Sequence, residues 1–204
     1  MKISLVFSAP LFLLWNASCP TQSVSNAVDF NKLKSFLPVL SNKEMFKSKN
    51  GKLSIKTSAN KSVQFIDKAP NTDDTNSRKY SFLGCIDVLN SFIVQEAGYE
   101  LNSIIMITKN GEKLKLWSIP YASSDGKAIV CLSQGLETDL VPNGIQVFQM
   151  KNGEVASSCE IHLKHYEPQS LRWLDNRSFI LKSQTLEENE AKSKKYYYKK
   201  FVLK

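Results

Sequence analysis

From residue 51 onward, apolar positions return every second residue. Leu53, Ile55 and Thr57 alternate with polar neighbours, as do Val63 and Phe65, and the two runs predict a first hairpin. Strand-like runs follow at residues 80–86, 91–96, 104–108 and 113–117, with turn-forming sequence between them. Asn110-Gly111 is expected to form a type I′ hairpin turn, because Asn and Gly both tolerate positive φ. The pattern restarts after Ser124-Asp125-Gly126-Lys127 with runs at 128–133, 145–150 and 155–161. A third series begins at Leu171-Arg172-Trp173, turns at Asp175-Asn176 into 178–183, and closes with 196–203. Ahead of all this, Val28, Phe30, Leu33, Phe36 and Leu37 recur at helical spacing before Pro38. Residues 20–26 read as a polar tether, and residues 68–78 as a polar loop without an apolar anchor.

The strand series carries an internal echo. Lys-Asn-Gly-Glu occupies residues 109–112 and again 151–154, a period of 42 residues. Such a period marks stacked units of four strands. Ser91-Phe92-Ile93 and Ser178-Phe179-Ile180 also match, each after an Asn-containing turn. The expected fold is therefore all-β: antiparallel four-stranded blade-like units in a small or incomplete propeller-like stack, with a short N-terminal helix. A β-sandwich is the alternative. The expected organisation is a signal segment at 1–19, a tether and helix at 20–50, and one β domain at 51–204. The units come to about three and a half, against the four to eight of closed propellers. Either the first hairpin and the last strand share a fourth unit, or the stack is open.

Residues 121–161 (YASSDGKAIVCLS…NGIQVFQMKNGEV) resemble a β-propeller blade of the WD40-like, TolB-type repeat. In that repeat a Ser-Pro-Asp-Gly-Lys turn precedes the second strand. Here Ser124 stands in place of the Pro, and the Gly-His…Trp-Asp signature is missing. The resemblance covers about 40 residues well. With its Trp173-Leu174-Asp175-Asn176 turn, the whole chain also resembles uncharacterised small exported bacterial proteins. Both resemblances imply a fold and a compartment, and neither implies a reaction.

The N-terminus points to export. Met1-Lys2 precedes an apolar run from Ile3 to Trp15, the length of a secretory core and short of the roughly 20 residues that span a bilayer. Ala17-Ser18-Cys19 resembles a bacterial lipobox, with Asn16 where Leu is usual. That resemblance implies lipid attachment at Cys19 and a periplasmic or outer-membrane-anchored protein. An ordinary cleaved signal and a buried N-terminal strand or helix are the competing readings. Without Cys19, three cysteines remain (Cys85, Cys131 and Cys159), which allow at most one disulfide.

The net charge of +8 is mostly lysine. It suits an anionic polymer or membrane surface as partner, and equally a solvated edge. Arginine, the usual reader of phosphate, is scarce, which argues against sequence-specific nucleic-acid binding. The chain carries no G-x-S-x-G elbow, Walker loop, dinucleotide fingerprint or calcium loop. His162 and His165, with Cys159 nearby, are too few for a catalytic zinc site, and no catalytic set, metal or cofactor is expected. Cys131 sits within an apolar strand, where thiols usually pack rather than react.

Rim positions are the better candidates. Tyr121, Tyr166 and Trp173 fall at predicted strand ends, where aromatics suit protein contact. The loop at 134–143 exposes Glu137, Asp139 and Leu140, and long loops in compact β domains often bind partners. The expected function is an exported, non-enzymatic binding protein that holds a protein partner at these six residues, for example as an immunity or inhibitor protein. Two alternatives remain open at this point. One is a small envelope enzyme on carbohydrate or lipid, and the other a structural envelope lipoprotein on anionic polymer.

Overall fold

Tight turns pair most strands with their neighbours in sequence, and that local pairing builds four separate antiparallel sheets. The computed structural model describes residues 19–24, 27–33, 45–69, 76–99, 102–137, 140–185 and 195–204. It begins with strand β1 (Thr21–Val24) and helix α1 (Ala27–Lys32). The first sheet holds β2 (Phe46–Lys49), β3 (Lys52–Lys56) and β4 (Ser62–Ile66). The second holds β5 (Lys79–Ile86), β6 (Ser91–Ala97), β7 (Asn102–Ile107) and β8 (Lys113–Leu116), in that spatial order. The third holds β9 (Tyr121–Ala122), β10 (Ala128–Ser133), β11 (Gly144–Lys151) and β12 (Glu154–His162). The fourth holds β13 (Glu167–Trp173), β14 (Ser178–Gln184) and β15 (Tyr196–Val202), with β1 added along the outer edge of β15.

Three apolar clusters join the sheets in chain order. Leu53, Ile55, Val63 and Phe65 of the first sheet meet Phe92 and Val94 of the second. Ile93 and Met106 of the second meet Ile129, Cys131 and Phe148 of the third. Val130, Ile145 and Val147 of the third meet Leu171, Phe179 and Phe201 of the fourth. Period two explains the arrangement. Along β10, Ile129 and Cys131 face one neighbour while Ala128 and Val130 face the other. Each such buried side chain contributes roughly 1.5–3 kcal/mol. The outer face of the fourth sheet is covered in part by α1. The Arg172 guanidinium lies over the Phe30 ring at 4.5 Å and donates to the Phe30 and Leu33 carbonyls at 2.9 and 2.7 Å.

Strand existence follows the sequence pattern closely, and several details do not. Four sheets replace the two of a β-sandwich. Residues 21–24, expected as tether, form a strand. All four are exposed, so main-chain pairing to β15 holds them without any apolar pattern. It is β1, and not the first hairpin, that joins the last strand. The first hairpin has its own third strand, β2, reached through an Asn50-Gly51 turn with φ of 51° and 69°. Of the expected helix, Phe36 and Leu37 lie outside the described residues, as does much of the 68–78 loop. The base of that loop is a two-way bridge between Lys68 and Arg78.

The repeated tetrapeptide adopts two different turns. Asn152 and Gly153 have φ of 54° and 78°, a two-residue type I′ loop between paired Lys151 and Glu154. Asn110 does not take positive φ. There, the Gly111 N–H donates to Thr108 O and the Thr108 N–H to Glu112 O, so a three-residue loop ends in a glycine bulge. The expected type I′ turn at Asn110-Gly111 is corrected accordingly. The Lys109 carbonyl accepts from the Ala59 N–H of the first sheet, a contact the second copy lacks in this form.

Cys19 is bonded to Cys159 of β12, with a Cα–Cα distance of 5.5 Å. One sulfur carries either this bond or a thioether-linked lipid, so the two compete for Cys19. The bond also takes Cys159 out of the three-cysteine arithmetic and leaves Cys85 and Cys131 as buried free thiols.

Candidate functional site

The loop between β10 and β11 is narrow at its base and open at its tip. Gly135 lies so close to the returning chain that a Cβ there would meet the Val141 carbonyl oxygen at 1.9 Å. Asn143 closes the base. Its side-chain amide donates to the carbonyls of Leu163 and Tyr166 at 2.5 and 2.9 Å, and its own carbonyl accepts from the Leu163 N–H at 2.9 Å. Gln134 donates to Pro168 O at 2.8 Å, and the Leu136 N–H to a Glu167 oxygen at 3.3 Å. The loop is thus stitched to the β12–β13 connection, as a compact loop of this kind requires. At its tip Glu137 is exposed and Leu140 keeps 63% of its surface in water. Asp139 lies outside the described residues.

Below the loop, two clefts adjoin. The larger is about 710 Å³ and lies among Asn102, Trp117, Ile119, Tyr121, Gln134 and Gln169, with further neutral residues. The smaller, about 410 Å³, shares Asn102 and Trp117 and adds Leu140, Gln146 and Glu160. Their walls are fixed. The backbone N–H of Trp117 donates to the Gln146 side-chain oxygen at 3.2 Å, and the Gln146 side-chain amide donates to Glu160 at 3.1 Å. Ser118 accepts from the Leu132 N–H at 3.0 Å. His162 stacks obliquely on Trp117, ring centres 5.7 Å apart, with its Nε2 3.9 Å from Glu160.

The described residues lining the larger cleft are all neutral. Burial pushes the Tyr121 phenol above its ordinary value, so it stays protonated and can donate. Cys131 lies behind it, fully buried. Burial pushes its thiol up to about 12, against the opposing effect of the Ser118 and Trp117 N–H groups. A thiol in that state is no nucleophile at neutral pH. Cys159 is held in the disulfide, so the trio Cys159, His162 and His165 has lost its sulfur ligand, and among the described residues no cluster of three metal-ligating side chains occurs.

The six rim candidates therefore separate. Tyr121 and Leu140 come to the adjoining clefts. Tyr166 sits to the side against Tyr197, ring centres 4.7 Å apart, under the Lys199 ammonium. Trp173 is not at the rim. It is 8% exposed, packs edge-on against Phe179, and belongs to the core between the third and fourth sheets. Strand alternation puts it there, since Leu171 and Trp173 share the inward face of β13. Sequence reasoning passed over Asn102, Ile119 and Gln169. The one available signal was the Trp117-Ser118-Ile119-Pro120 connection, which is apolar where a plain turn would be polar.

Compared with protein-family models, curated proteins and solved structures, the chain shows no match to any. The class its own geometry defines is an all-β protein of four antiparallel sheets with none closed into a barrel.

Proposed function

We propose that this is an exported, non-enzymatic binding protein that holds a protein partner with the tip of the 134–143 loop. The carrying observation is the contrast within that loop. Its base is fixed by Gly135 and Asn143, while Leu140 at the tip is left in water. A large apolar side chain on a preordered support loses little entropy on docking, which favours an anchor role. Export draws support from the Cys19–Cys159 bond, because disulfides persist mainly in oxidising compartments. The apolar run from Ile3 to Trp15 points the same way. Release into a periplasm-like compartment without a lipid on Cys19 is the form this takes. An immunity or inhibitor protein is one concrete version, and the four sheets are read here as blade-like units of an open stack.

Glu160 is the one acidic side chain among the described residues lining either cleft, which gives a paired-carboxylate enzyme little support. The test is capture from cell-envelope extract on immobilised protein, run beside Leu140→Asp and Glu137→Lys. A specific protein retained by the wild type and lost with Leu140→Asp is expected. Equal retention by both, or no retained protein, would reject the loop as the anchor.

A further inference from the structure

The larger cleft has a composition at odds with the rest of the surface. The chain is 23% charged, yet none of the twelve described residues lining this cleft is Asp, Glu, Lys, Arg or His. Its apolar walls include Trp117, Ile119 and Tyr121. Its polar groups are amides and hydroxyls. Two of them, Asn102 and Gln169, have no hydrogen-bond partner of their own among the described residues, and neither does the Tyr121 hydroxyl. A side-chain amide offers donors and an acceptor together, the pattern that hydroxyl and acetamido groups complete.

A second observation bears on Gln169. The pairing of β13 with β14 slips between Pro168 and Ser170, so Gln169 is the extra residue of a β-bulge. Bulges re-aim a side chain and gather beside binding sites. Here the bulge residue is one that lines the cleft. Its neighbour Pro168 is tied by its carbonyl to Gln134 across the cleft, so the wall is fixed before any ligand arrives. The cleft also continues through Asn102 and Trp117 into the smaller one, which leaves room for more than one ring and there adds the charged Lys115 and Glu160. Its volume lies within the range of ordinary ligand sites.

From these features we propose that the cleft binds a neutral, N-acetylated oligosaccharide. Pyranose C–H faces rest on Trp117 and Tyr121, and hydroxyl and acetamido groups bond Asn102 and Gln169. Among the described residues of the larger cleft an uncharged sugar meets no charge and leaves no ion unpaired, unlike an acidic glycan or a charged peptide. The site lies below the loop tip and does not depend on the protein-partner reading.

The test is calorimetric titration of the full disulfide-bonded protein with tri-N-acetylchitotriose. Cellotriose and an acetyl- and amide-capped neutral tripeptide are parallel probes. Saturable binding of the N-acetylated trisaccharide is expected, weakened about tenfold or more by Gln169→Ala and by Asn102→Ala. Both variants must keep the wild-type melting profile; Asn102 is exposed, so its variant preserves the test if Gln169→Ala unfolds. Absence of saturable binding up to about 10 mM, an affinity too weak to matter, would overturn the proposal. So would binding that neither variant changes, or binding of the capped peptide with no response to either sugar. Glu137 lines neither cleft, so loss of protein capture in Glu137→Lys leaves this result unaffected, and the two readings fail separately.

Discussion

Cys19 and Cys159 are joined across a sequence separation of 140 residues, and the bond ties the start of β1 to the third sheet while β1 itself pairs with the fourth. Strand β1 is exposed along its whole length and has little apolar area to hold it. Its main-chain ladder to β15 and the disulfide do that instead.

Breaking this bond should lower stability by about 2–5 kcal/mol, the range for removing a native disulfide that closes a long loop. Urea unfolding of Cys159→Ser against wild type measures it. Thiol titration of the denatured, unreduced protein should find only Cys85 and Cys131 reactive. Four reactive thiols before reduction, or unchanged unfolding in the variant, would contradict the bond.

The two copies of Lys-Asn-Gly-Glu should respond differently to the same substitution. Asn152 sits at φ 54°, a left-handed conformation that Asn tolerates because its short polar side chain bonds locally; Ala has no such group, and Asn152→Ala should cost about 1 kcal/mol. Asn110 is outside that region, so Asn110→Ala should stay within about 0.5 kcal/mol of wild type. Equal losses at the two positions, measured by chemical denaturation, would mean that the turns are alike after all.

That pair also shows what a sequence can and cannot disclose. Strand positions were legible because a sheet with one buried face, such as Leu53/Ile55 against Val63/Phe65, alternates cleanly. A sheet buried on both faces, such as residues 128–131, gives a continuous apolar run. Turn type at Asn110 was not legible, because a neighbouring sheet contacts Lys109. Strand β1 has no side-chain pattern to read, and the partner of Cys19 depends on sheets meeting far along the chain. Of the site, the loop and Tyr121 were legible, but not the convergence of Asn102 with Gln169. One residue opens a strand and the other is an unpaired bulge, and neither has a signature.

Acid stability should depend on two equivalent turns. Asp125 accepts from the Lys127 N–H at 3.1 Å, and Asp175 from the Arg177 N–H at 2.7 Å. At Asp125 burial pushes the pKa up, but the Lys127 N–H, the Ser123 hydroxyl and the Lys127 charge outweigh it. The carboxyl ends below its ordinary 3.8. At Asp175 the Ser178 hydroxyl is the main cause, and the shift is again downward. A depressed folded-state pKa stabilises the fold above the unfolded value, and the contribution is lost as pH falls through the folded one. The double variant Asp125→Asn, Asp175→Asn should therefore lose less stability than wild type as pH is lowered from about 5 to about 2. Parallel curves over that range would show that neither carboxylate is stabilised in the fold.

Arg172 should govern the covering of the fourth sheet. Its Nη1 donates to the carbonyls of Phe30, Asn31 and Leu33 at 2.9, 3.3 and 2.7 Å, and its guanidinium lies over the Phe30 ring. These carbonyls belong to the end of α1, where a cation is favoured; the Phe30 carbonyl also accepts from the Leu33 N–H at 3.2 Å. Helix α1 has only 6 residues, too few to hold itself in water, so its order depends on this anchor and on Phe30 packing against Tyr198. Arg172→Ala should cost about 1–3 kcal/mol and speed amide exchange at residues 27–33. Arg172→Lys should restore less than half of that protection, because an ammonium lacks the planar group that stacks on Phe30. If exchange at residues 27–33 is unchanged in Arg172→Ala, the helix is held by apolar contact with Phe30 alone.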